Sequence, residues 1–160
     1  VIDGVPYWDG GYMGNPALFP FHTGSDCGDI AVIQINPVER KGIPRTPQDI
    51  QNRINEIAFN SSLLKELRAI DFVDRLIDEG KLDENRYRRE RIHIIENQNA
   101  LIPLGASSKM NTEWAFLTHL RDLGRDTATQ WLDRHFDDVG DRSTVDLRAM
   151  FSDIGPQHQG

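Results

Sequence analysis

Apolar periodicity divides this chain into strand-like and helix-like stretches. Ile30 to Ile35 is a short run rich in β-branched residues and ended by Asn36-Pro37, which predicts a strand covered on both faces, as in a parallel sheet. Arg91-Ile92-His93-Ile94-Ile95-Glu96 reads as a second internal strand. Between them, Thr46-Pro47-Gln48-Asp49 marks a helix start, with threonine as cap, proline at the first position and aspartate set against the helix dipole. Ile50, Ile54, Ile57 and Ala58 then mark one buried face. Asn60-Ser61-Ser62 predicts a break, after which Leu63, Leu67, Ile70, Val73 and Ile77 continue a helical stripe until Gly80.

The polar stretch 96–111 lacks periodicity and reads as loop. Asn111-Thr112 opens a helix carrying Phe116, Leu117, Leu120 and Leu123, stopped at Gly124. Ala128, Trp131, Leu132, His135, Phe136 and Val139 then repeat at helical spacing until Gly140. Ser143-Thr144-Val145-Asp146 caps one last short helix, and residues 152–160 read as a frayed tail of proline, glycine and polar residues. Strand, helices, strand, helices is the order of an α/β domain around a mainly parallel sheet. There is no internal repeat and no sign of a second domain.

Composition narrows the classes. The chain has 160 residues, 38% hydrophobic and 27% charged, which suits one folded domain rather than a disordered segment. It opens directly inside a strand-turn-strand, Val1 to Trp8 with Asp3-Gly4 as the turn, and so reads as a piece of a longer polypeptide. A net charge of −7 argues against nucleic acid as a partner, because phosphate-backbone binding needs a concentrated positive footprint. The single cysteine permits no internal disulfide; that favours the cytoplasm and is also compatible with a secreted, disulfide-free protein. No His-x-x-x-His spacing and no cysteine pair occurs, so no metal and no cofactor is expected.

The candidate chemistry lies in Tyr7-Trp8-Asp9-Gly10-Gly11-Tyr12-Met13-Gly14-Asn15-Pro16. Asp9 is placed at a strand-to-helix turn. Gly10 and Gly11 allow positive φ and close approach of the backbone to another group, while Asn15 suits a helix N-cap and Pro16 the first helical position. Helix-end N–H groups would then lie beside a carboxylate presented to a cleft.

Strand-Asp-Gly-Gly-x-x-x-Asn-Pro resembles the aspartate block of patatin-like phospholipases, the Ser-Asp acyl hydrolases. Similar patterning continues in residues 30–37, in Arg53 to Asn60 and in the helices carrying Trp114 and Trp131, so the likeness spans residues 1–151. It covers the second half of that domain. The family's first half carries a glycine-rich oxyanion loop and a Gly-x-Ser-x-Gly elbow, and neither occurs here.

The resemblance implies a three-layer α/β/α patatin-like fold, carboxyl-terminal half only, with residues 152–160 as a flexible tail. It implies Asp9 as general base toward a serine outside this chain, with Gly10, Gly11 and Asn15 supporting the turn. The implied reaction is hydrolysis of a lipid carboxylic ester through an acyl-serine, without calcium, on a substrate met at a membrane surface. The expected partner is the amino-terminal half of the domain, or a chain supplying it. Alone, these 160 residues would be inactive, with an unpaired sheet edge.

Plainer readings stand beside this one. Asp9 would equally serve as a turn aspartate binding neighbouring N–H groups. Ser25, in Gly24-Ser25-Asp26-Cys27-Gly28, lacks elbow spacing and, with Cys27, belongs to a loop away from the cleft; Ser107-Ser108-Lys109 reads as polar loop. His93 and His135 read as satisfied core histidines, and His22 and His119 as surface ones. Arg86 to Arg91 is a dense basic cluster, read as a solvated approach to the strand rather than a lipid-headgroup contact. Leu101-Ile102-Pro103-Leu104 either packs on the sheet or forms an acyl-chain lid. The chain as a whole could instead be a noncatalytic partner-binding or regulatory module derived from a hydrolase. A third class is an unrelated enzyme using Asp9 as nucleophile or metal ligand.

Overall fold

The computed structural model describes residues 1–152. It is a mixed α/β unit built on two parallel strands, β1 (Asp29–Gln34) and β2 (Arg91–Glu96), paired in register from Asp29 opposite Arg91 to Gln34 opposite Glu96. Both predicted strands are present and parallel. They are joined by α2 (Pro47–Asp78), preceded by the short α1 (Phe19–Gly24), and followed by α3 (Gln98–Leu101), α4 (Trp114–His135) and α5 (Leu147–Ser152). Single 3-10 turns occupy Gly10–Tyr12, Ala106–Met110 and Phe136–Asp138.

Helix α2 starts as its sequence dictates. The Thr46 side chain accepts a bond from the Asp49 N–H, and the Asp49 carboxylate accepts one from Thr46, closing a capping box. The expected break at Asn60-Ser61-Ser62 does not occur. Asn60 Nδ2 donates to Pro37 O at 2.7 Å, Ser61 Oγ donates to Ala58 O, and Ser62 Oγ accepts from the Asn15 N–H. Side chains that would compete with the helical backbone are thus engaged by tertiary or one-turn bonds, so the helix runs through. Gly80 ends it at positive φ, as predicted.

One face of the sheet carries the core. Ile30, Val32 and Ile92 bury against Leu63, Leu67 and Ile70 of α2, with Leu18 and Leu147 completing the cluster. Because strand side chains alternate, His93 points to the other face, where it is 1% exposed beneath Trp131 of α4, the ring centroids 5.8 Å apart and edge to face. Cover on that second face stops at β2. On β1, Ala31 is exposed and Ile33 is 74% exposed, so the expectation of a strand buried on both faces fails for β1.

The edges differ in the same way. The outer edge of β2 is occupied, since Ile92 N–H donates to Ser143 Oγ and Ile92 O accepts from the Thr144 N–H. Among the described residues no strand pairs with the far edge of β1.

Two further expectations are corrected. The stripe Ile50, Ile54 and Ile57 faces outward, with Ile57 61% exposed, because α2 rests on the sheet only from Asn60 onward. Gly124 does not stop a helix: α4 runs continuously from Trp114, and the turn closes later at Gly140, at positive φ. The last helix ends on Ser152, and the remainder of the expected tail lies outside the described residues. Among those residues no helix is long and apolar enough to cross a membrane.

Candidate active site

The Asp9 turn is organised differently from the sequence expectation. Ile2 and Val5 exchange both backbone bonds around Asp3 and Gly4, which take positive φ of 50° and 81°, so the predicted tight turn exists. Residues 6–9 do not continue it as a strand. Asp9 caps the Gly10–Tyr12 turn, its Oδ1 accepting from the Gly11 N–H at 2.7 Å. Gly10 and Gly11 are therefore in a 3-10 turn, without positive φ. Close approach does explain Gly11: a Cβ there would stand 3.1 Å from Asp9 Oδ1 and 3.7 Å from the Phe59 ring. Asn15 is no helix cap, since α1 begins at Phe19 behind Leu18; its N–H instead ties the turn to Ser62 of α2.

Asp9 is exposed, and its Oδ2 bonds nothing among the described residues. One oxygen is oriented by a backbone donor and the other is available, which suits either a plain turn aspartate or a base awaiting a donor.

A hollow lies at the carboxyl ends of the two strands, where open parallel sheets place their ligands. It has a volume of about 310 Å³, at the small end for ligand pockets, and its walls are mainly apolar, with Ile33, Ile35, Phe59, Leu104, Phe116 and Leu120 beside a few polar groups such as Glu56 and Asn97. Phe59 links it to the Asp9 turn, with Gly11 against its edge and the Tyr12 ring 6.4 Å away; Lys109 Nζ sits 5.2 Å from the same ring. Asp9 thus stands beside a pocket-wall residue without itself lining the pocket.

The Leu101-to-Leu104 segment forms one wall. Arg40 holds it, with Nε and Nη2 donating to the two Glu56 oxygens at 2.9 and 2.6 Å, and with further bonds to the Ile102 and Leu104 carbonyls. Ser108 and Lys109, set aside as nucleophile candidates, lie on the 3-10 turn at the pocket rim. Ser25 and Cys27 occupy the loop before β1, at the opposite end of the strands, as expected.

Comparison with protein-family models, with curated proteins and with solved structures finds no match to this chain. The functional reading therefore rests on geometry and on the resemblance of the Asp9 block.

At the amino ends of the strands lies a second polar centre. The Asp29 carboxylate accepts from Arg91 Nε and Nη2 at 2.9 and 2.8 Å, from His93 Nε2 at 3.0 Å and from the Gly140 N–H at 2.8 Å. Hydrogen bonding from Arg91 dominates, and His93 and Gly140 add to it, so the carboxyl is held well below its usual range despite the opposing effect of burial. His93 is thus a core histidine fixed by a carboxylate at Nε2, but it is not fully satisfied as expected, since its buried Nδ1 has no partner among the described residues. His135, half-buried, pairs with Asp138 at 2.8 Å, and His22 and His119 are exposed.

The basic cluster is largely neutralised in place. Arg88 bonds the Ser25 and Phe21 carbonyls, Arg89 pairs with Asp78 and Glu84, and Arg91 pairs with Asp29. Sequence reasoning missed Asp29 and Arg40, because each acquires its role from partners distant in sequence, 16 to 64 positions away for Arg40 and 62 to 111 for Asp29. Asp29 gave one signal, a charge at the entry to an apolar strand.

Proposed function

We propose that this chain is the carboxyl-terminal half of a patatin-like lipid acyl hydrolase with a three-layer α/β/α fold, and that Asp9 is the general base for a serine on polypeptide outside these 160 residues. The observation that carries the reading is the apolar pocket at the carboxyl ends of parallel strands, with the Asp9-Gly10-Gly11 turn against its wall residue Phe59. The uncovered edge and face of β1 give further support, since a neighbouring strand from the first half would occupy them.

In this reading the Gly11 N–H fixes Asp9 Oδ1 and leaves Oδ2 to take the serine proton as the hydroxyl attacks the ester carbonyl. The same proton then leaves with the alcohol, and water repeats the sequence on the acyl-serine. Burial of Asp9 by the first half would raise its basicity.

The test uses the complete natural polypeptide with a fluorophosphonate probe and an ester assay. Serine labelling is expected, and Asp9→Asn should lower kcat by about a hundredfold or more, the usual contribution of a general base. Full turnover in that variant refutes the assignment. The exposed isoleucine stripe on α2 favours a second reading, a noncatalytic partner-binding module. That reading stands if no serine is labelled and no ester is turned over.

A further inference from the structure

The Asp9 turn is held to the body of the protein at few points. Among the described residues a single hydrogen bond joins residues 1–17 to the rest of the chain, the Asn15 N–H donating to Ser62 Oγ at 3.1 Å. Burial adds little on the outer side of the turn, where Trp8 is 85% and Tyr12 72% exposed. Its inner side meets one face of α2. Phe59 and Ser62, three positions apart on that face, stand against Gly11 and Tyr12 and against Asn15 respectively. Leu18, further along the chain, is buried in the core cluster that includes Leu63.

The turn is internally bonded, so a hold at one end is transmitted to the other. Asp9 O accepts from the Tyr12 N–H, and Gly10 O accepts from the N–H groups of Met13 and of Gly14, the residue before Asn15. Asp9 Oδ1 is fixed to the same turn by the Gly11 N–H. Phe59 lines the apolar pocket and Ser62 does not, so the Ser62 hydroxyl touches the turn and not the space a substrate would fill.

We propose that Ser62 is a positioning residue for Asp9: its oxygen pins the turn to α2 and so sets where Oδ2 stands when the serine proton is taken. The inference rests on the general-base reading above and names a residue on which that base depends. The donor is the Asn15 main chain, so the hydroxyl at position 62 decides the contact. Threonine keeps an acceptor there. Alanine removes it and, as the better helix former, leaves α2 able to fold. Misplacing a catalytic group by about 1 Å can cost roughly a hundredfold in rate, and a turn still held by Phe59 and Leu18 should lose less.

Steady-state ester hydrolysis by the complete natural polypeptide tests this on wild type, Ser62→Ala, Asp9→Asn and the double variant. Ser62→Ala should lower kcat about tenfold with KM unchanged, and Ser62→Thr should restore most of it. In the Asp9→Asn background Ser62→Ala should cost nothing more, because a residue that acts only through Asp9 has nothing left to position. Amide exchange on the same polypeptide gives a second readout: Gly11 and Tyr12 should exchange about tenfold faster in Ser62→Ala, with β1 and β2 unchanged. Unaltered kcat or exchange in Ser62→Ala, a change in KM alone, or an equal loss of kcat in both backgrounds overturns the positioning role and leaves Asp9 as base. Full turnover in Asp9→Asn, or none in wild type, overturns the base and the role of Ser62 with it.

Discussion

Asp29→Asn tests the most consequential polar contact in the molecule. The carboxylate gathers β2, through Arg91 and His93, and the turn after α4, through Gly140, onto the first residue of β1. Hydrogen bonds to charged groups contribute roughly 1.5–3 kcal/mol each, but the Arg91 side chain is 31% exposed and recovers hydration when released. The amide keeps one acceptor oxygen and loses the charge, so the expected loss is about 2–3 kcal/mol. The pH dependence has a definite sign. Asp29 titrates below its ordinary value near 3.8 in the folded protein, so its contribution is present above that value and fades as pH falls through the folded one. Urea denaturation followed by tryptophan fluorescence should show the gap between wild type and variant at full size near neutrality and narrowing below about pH 4. A loss under about 0.5 kcal/mol, or a gap that stays constant through the acid range, refutes this account of the cluster.

Two further outcomes follow from the same contacts. Asp74 on α2 is pushed up to about 6, mainly by burial and secondarily by Asp78, Asp71 and Glu90 against the opposing Arg89, so its ionisation destabilises the fold as pH rises from about 4 to 6; Asp74→Asn should be neutral at pH 4 and raise stability by about 1 kcal/mol at pH 7 after allowance for solvent screening, and no gain in a thermal melt at pH 7 would count against it. Arg40→Met should free the 101–104 wall, so amide exchange at Ile102 and Leu104 should quicken by about tenfold while the protection of β1 and β2 is little changed; unaltered exchange at those amides would show that Arg40 does not hold the segment.

Both strands and the start of α2 were legible because their signals are local: a β-branched run bounded by Asn36-Pro37, and a Thr-Pro-x-Asp cap whose bonds are internal. The α2 break was misjudged at Asn60-Ser61-Ser62 because their partners, Pro37 and Asn15 among them, lie far off in sequence. Asn15-Pro16 carries a good helix-start signal, yet Asn15 is spent on Ser62 and the helix waits until Phe19. At the candidate site the sequence singled out Asp9 and the glycines, and the structure gives Gly11 a steric reason. Phe59, which joins that turn to the pocket, carries no mark in the sequence that sets it apart. Periodicity names a face but not what covers it, and so Ile50, Ile54 and Ile57 were assigned to a core that the described residues do not provide.

The distribution of uncovered surface bears on the proposal more than its amount does. β2 has its outer edge occupied by Ser143 and Thr144, and both its faces are packed, by α2 on one side and α4 on the other. β1 has one face packed, and its other face and far edge open, with Ile33 74% exposed and Ile35 beyond it 62% exposed. A loosely folded unit would be open on all sides; this one is closed around β2 and open beside β1. A parallel neighbour for β1 must arrive through a long crossover or from another chain, since no tight turn joins parallel strands. The proposed first half would meet that requirement with the same polypeptide that carries the serine. It would bring the nucleophile to the carboxyl ends of the strands, where Asp9 and the apolar pocket already stand. Under the proposal, one neighbour would cover β1 and supply the nucleophile. Ile33 and Ile35 enter on both counts, as uncovered residues on or just beyond β1 and as walls of the pocket.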